Sequence, residues 1–125
     1  MNPTDSYTPD TATNSQDARR KPRRAPVGTV EVINTMSDRV IGQLGNVSET
    51  GMLLLASTPL VEDALYQLRF ILPGTAPQRG SVEVGVHLLW HEHASAAGKA
   101  WAGFRFINLP EPGRQHLRDW LARTV

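Results

Sequence analysis

From Gly28 onward, large apolar residues return at every second position in short runs, and glycine, proline, serine and aspartate break each run. A two-residue period is the signature of strands with one buried face, and runs this short leave no room for long helices. The pattern predicts six strands, at Thr29–Asn34, Arg39–Leu44, Met52–Ser57, Gln67–Leu72, Ser81–Trp90 and Ala100–Ile107. Turn formers separate them at Thr35-Met36-Ser37-Asp38, Pro73-Gly74-Thr75-Ala76-Pro77 and His93-Ala94-Ser95-Ala96-Ala97-Gly98. In the fifth run, alternation puts Val82, Val84, Val86, Leu88 and Trp90 on the core face, opposite Glu83, Gly85, His87 and Leu89. In the sixth, Ala102, Phe104 and Phe106 share a face, and Gly103 on the other face would let a neighbouring element approach closely. Such strands build a mainly β, antiparallel barrel or sandwich. A C-terminal helix follows: Asn108 and Glu111 have the spacing of a capping box, Pro110 fits a first turn, and Leu117, Trp120 and Leu121 form one apolar stripe. The stripe reads as core packing against one end of the sheet.

The chain divides into three parts. Residues 1–18 are rich in Thr, Ser, Asn, Asp and Pro and nearly lack large apolar side chains, so they read as a disordered tail. Residues 19–27 form a basic arm that Pro22 and Pro26 bias towards extended backbone. Residues 28–125 form the folded body, a length suited to one compact core. Residues 19–24 carry five of the thirteen Lys and Arg residues and no acid, whereas residues 25–125 hold eight bases against nine acids. Binders of long nucleic acid spread cations over an extended surface. A barrel that binds RNA or single-stranded DNA would also display aromatics across a sheet face. Here the charge is confined to one arm, and several of the eight aromatics fall on core faces. No long nucleic acid is expected as a partner.

Other chemistries find little support. With no cysteine there is neither a disulfide framework nor a thiolate metal site. His91 and His93 share strand parity, but no third ligand accompanies them, so no metal is expected. Glu62-Asp63 are adjacent residues in a loop, and no histidine–aspartate pair can be assigned to Ser48. The expectation is a binding module without cofactor or catalytic residues, not an enzyme. The N-terminus shows no signal pattern and the longest apolar run, Met52–Ala56, is too short to span a bilayer, which predicts a soluble, cytoplasmic protein without a membrane span.

The arm and the polar turn Asn46-Val47-Ser48-Glu49-Thr50-Gly51 together suit a small anionic ligand. A guanidinium presents a planar fork that pairs with an anion such as phosphate, which lysine lacks. Five cations within six residues repel one another, so the arm should be mobile until an anion gives the guanidinium groups fixed partners. The Asn46 amide can donate or accept, the Ser48 hydroxyl can do the same, and Gly51 permits positive φ or close approach. Trp90, at the end of its strand, either meets a ligand or packs in the core.

In order and spacing, these residues resemble a PilZ domain. Arg20 and Arg24 match an RxxxR motif, with Arg19 and Arg23 as the alternative register. Asn46, Ser48 and Gly51 match [D/N]xSxxG about twenty residues on, and Gly85-Val86-His87-Leu88-Leu89-Trp90, Gly103-Phe104-Arg105-Phe106 and a terminal helix follow. The likeness covers roughly residues 19–123. It implies a six-stranded antiparallel β-barrel with a C-terminal helix. It also implies a bacterial cyclic di-GMP receptor that holds the dinucleotide between arm and barrel through Arg19, Arg20, Arg23, Arg24, Asn46, Ser48, Gly51 and Trp90. Signalling would pass to an unidentified protein effector, in settings such as motility or biofilm formation. The alternative within the resemblance is a ligand-independent adaptor, as in pilus assembly. Asn46 in place of Asp removes a negative charge that could pair with a guanine edge.

Overall fold

The computed structural model describes residues 22–74 and 80–123. The tail, Arg19, Arg20 and the centre of the Pro73–Pro77 loop lie outside the described residues. Six strands, β1 (Glu31–Asn34), β2 (Arg39–Val47), β3 (Gly51–Ala56), β4 (Leu65–Ile71), β5 (Ser81–His93) and β6 (Ala100–Asn108), precede one helix, α1 (Gly113–Ala122). The strands close an antiparallel barrel in the order β1-β2-β3-β6-β5-β4, so the barrel alternative holds over the sandwich. Closure comes where Ile33 pairs with Arg69 and Asn34 with Leu68.

Each predicted strand is present, with shifted ends. The first hairpin turns through Thr35–Asp38, where the Asn34 carbonyl accepts from Asp38 N–H at 2.7 Å and the Asn34 side chain accepts from Met36 N–H at 2.9 Å. Asp38 takes φ 59°, a left-handed conformation that aspartate tolerates. Inward residues of all six strands fill the barrel, among them Val32, Leu44, Leu54, Leu68, Val84 and Phe104. The helix packs on β5 and adds Leu117 and Trp120 to this core.

Two sequence expectations are corrected. The helix does not start from an Asn108 cap: Asn108 ends β6 paired with Gly85, and the helix begins at Gly113. A residue before proline is biased away from helical backbone, and Pro110 and Pro112 impose that on Leu109 and Glu111. Glu111 still serves the first turn, its carboxylate accepting from Gln115 N–H at 3.1 Å. Secondly, Trp90 leaves the core face. A register shift between Leu88 and Trp90 inverts the alternation, so Leu88 is fully buried while Trp90 is 43% exposed. The end of the arm lies along the barrel, where Arg24 and Val47 form an antiparallel bridge.

Gly51 is needed for close approach, not for a positive φ. A Cβ at this position would collide with the Phe104 carbonyl across the β3–β6 pair. Gly51→Val should therefore destabilise the protein by about 1–3 kcal/mol, the cost of forcing backbone apart in a packed sheet. An unchanged melting temperature would show that the two strands are not held so close.

Candidate functional site

Four residues of four neighbouring strands form a row across the outside of the barrel: Asn46 pairs with Leu53, Leu53 with Gly103, and Gly103 with Trp90. Two bulges create it. One, between Leu44 and Asn46, turns Asn46 outward while Val47 returns to the core; the other turns Trp90 outward. Gly103 supplies the space in the middle. The Trp90 indole lies directly over it, where any Cβ would collide with the ring. The indole thus folds back along the row towards Asn46.

Above this row is a cleft of about 280 Å³ lined by Arg23, Asn46, Leu53, Leu89, Trp90 and Gly103, with Met52 and Phe104 beneath. Arg23 Nη1 donates to Asn46 Oδ1 at 2.7 Å, which fixes the guanidinium at one side of the cleft opposite the indole. Crowding by the cleft walls lowers the Arg23 pKa from its ordinary value through desolvation. The group nonetheless stays charged at neutral pH. Among the described residues no carboxylate is paired with it, so a partly desolvated cation faces an apolar floor and an exposed aromatic plane. That combination suits a flat, anionic, base-bearing ligand. The volume falls just below the range of about 300–1,000 Å³ usual for small-molecule sites. A ligand larger than the cleft would therefore lie partly across the surface.

Ser48 is 1% exposed and serves the turn itself. Its hydroxyl oxygen accepts from Thr50 N–H at 3.2 Å and lies 3.2 Å from the Thr50 hydroxyl, while Ser48 N–H donates to the Gly51 carbonyl at 2.9 Å. Asn46 and Gly51 belong to β2 and β3, so the turn proper is only Ser48–Thr50. Ser48→Ala leaves the Thr50 N–H without its partner. We expect it to cost about 1 kcal/mol of stability in urea unfolding, and full wild-type stability would show that the hydroxyl does not hold the turn.

Of the eight sequence candidates, Arg23, Asn46 and Trp90 meet at the cleft, and Ser48 and Gly51 shape the strand connection beside it. Arg24 points away, towards α1, and Arg19 and Arg20 lie outside the described residues. Sequence reasoning missed Leu53 and Leu89 as cleft walls. Leu53 sits in the uniformly apolar run Met52–Ala56, where alternation gives no signal.

The PilZ domain family matches residues 18–123. The chain belongs to the PilZ family. Among curated proteins none matches the sequence, but solved structures share the fold. YcgR from Escherichia coli, solved in complex with c-di-GMP, aligns over 82% of this chain and 44% of its own, with 17% identity and a TM-score of 0.64. MrkH of K. pneumonia, also a c-di-GMP complex, aligns over 82% of this chain and 50% of its own, at 15% identity and a TM-score of 0.63. The Bacillus subtilis inhibitor of motility MotI/DgrA covers 85% of this PilZ chain and 53% of its own, at 14% identity and a TM-score of 0.62. This PilZ domain thus spans about half the length of these neighbours, and at such identities the likeness is one of fold. Among the described residues no helix is long and apolar enough to cross a membrane.

Proposed function

We propose that this PilZ domain is a cyclic di-GMP receptor that takes the dinucleotide at the cleft between its basic arm and the outer face of the barrel. The observation that carries this reading is the pairing of Arg23, held by Asn46, with the Trp90 indole across a floor of Leu53 and Gly103. A guanine inserted there stacks on the indole, and a phosphate or guanine edge meets the guanidinium fork. The c-di-GMP complexes of YcgR and MrkH, which share the fold, support the choice of ligand.

In this reading Arg23 contacts the ligand directly, and Arg19, one RxxxR step earlier, is its partner. The other register, Arg20 with Arg24, supplies charge from the same arm. Asn46 orients Arg23 and offers its amide to the base. Ser48 and Gly51 hold the turn that brings β2 and β3 to the cleft. The domain acts in the cytoplasm as a receptor without catalysis, and its output passes to a protein effector.

Trp90 provides the test specific to this site. Base stacking on an exposed aromatic is worth about 1–3 kcal/mol per base, so Trp90→Leu should weaken cyclic di-GMP binding by that amount while thermal stability is kept. Wild-type affinity in this variant would remove the indole from the site.

A further inference from the structure

The two adjacent arginines at the end of the arm face opposite ways. Arg24 N–H donates to the Val47 carbonyl and Val47 N–H donates back to the Arg24 carbonyl, each at 3.0 Å. Consecutive side chains of extended backbone leave opposite faces, so fixing Arg24 on one side turns Arg23 to the cleft on the other. Arg24 is fixed by the helix. Its guanidinium lies 4.1 Å from the centroid of the Trp120 ring, and Nη1 donates to the Trp120 main-chain carbonyl.

Trp120 lies in the last turn of α1, at the negative end of the helix dipole, and its carbonyl accepts from Arg123 N–H at 3.3 Å as well as from Arg24. The helix has no basic residue of its own in that turn, so Arg24 brings the cation from the other end of the chain. Indole is the aromatic ring that attracts a cation most strongly. A second tie joins the same helix to the other half of the site: Arg118 Nε donates to the Glu49 carboxylate, in the Ser48–Thr50 turn, at 3.0 Å.

We propose that Arg24 is a positioning residue that latches the arm to the last turn of α1, so that the C-terminal helix sets where Arg23 stands and becomes part of the ligand clamp. The ligand half of this inference rests on the receptor reading; the latch half is a property of the free protein. Because coupling is reciprocal, a ligand that holds Arg23 also holds the last turn of the helix. Occupancy of the cleft is thereby transmitted to an element outside it.

Amide hydrogen exchange in the ligand-free protein tests the latch. Arg24→Met keeps the aliphatic stem and removes the guanidinium, and should speed exchange of the Arg24 and Val47 amides about tenfold by favouring local opening. Arg23→Met should leave both unchanged. Unchanged exchange in Arg24→Met would overturn the latch. Calorimetric titration with cyclic di-GMP then tests the coupling, with Trp120→Phe as a conservative change whose melting temperature shows that it folds. Arg24→Met and Trp120→Phe should each weaken binding, by up to about tenfold, and the double variant should be no weaker than Arg24→Met alone, as for residues acting through one contact. Losses that multiply would mean that Arg24 binds the ligand itself, which would overturn its positioning role. If the wild type binds no cyclic di-GMP, the receptor reading fails, while the exchange result still decides the latch.

Discussion

Trp120→Ala should lower stability by about 3–5 kcal/mol, the largest single-residue effect expected in this protein. Trp120 is only 1% exposed and is among the largest fully buried side chains. Its removal leaves a cavity where the helix meets the barrel and strips Arg24 of the ring it lies over. For a domain of this size each kcal/mol moves the melting temperature by roughly 4–8 °C, so thermal unfolding should begin well over ten degrees earlier. A shift of only a few degrees would show that the helix contributes little to the core.

Arg23→Ala should leave the melting temperature unchanged and weaken cyclic di-GMP binding by about 1.5–3 kcal/mol, the range for a hydrogen bond to a charged group. In affinity this is roughly a ten- to 150-fold loss. The side chain makes its one described polar contact with Asn46, so the folded state loses little when it is removed. Arg23→Lys should recover only part of the affinity, because an ammonium lacks the fork that engages two acceptors at once. Full affinity in Arg23→Ala would place the ligand elsewhere. Comparison with Arg24→Ala separates contact from position: only the Arg24 variant should also loosen the Arg24–Val47 bridge.

The strands were legible because inside and outside differ at nearly every second residue, as from Val82 to Leu88. The pattern could not choose between barrel and sandwich, because the choice depends on Ile33 meeting Arg69 and Leu53 meeting Gly103, pairings between strands that are not neighbours in sequence. Strand ends were misplaced where the signal weakens. β4 starts at Leu65, but Leu65 is exposed and mimics no inward position. Bulges were the main obstacle at the site. Nothing in Leu88-Leu89-Trp90 announces a register shift, so parity assigned Trp90 to the core, although Gly103 did signal the close approach that the indole makes. Asn46, Ser48 and Gly51 were readable as a motif, but not that Ser48 turns inward. The contact of Arg24 with Trp120 joins residues 96 positions apart. No local spacing encodes it, and the RxxxR pattern allowed two registers that only the direction of each side chain distinguishes.

Titration of the purified protein with cyclic di-GMP in a calorimeter, with GTP and GMP as controls, decides whether the cleft is a receptor site. Binding of the cyclic dinucleotide should be saturable and much weaker in Arg23→Ala and in Trp90→Leu, with neither linear nucleotide replacing it. A flat isotherm for the folded wild-type protein at concentrations that saturate a micromolar site would contradict the receptor reading.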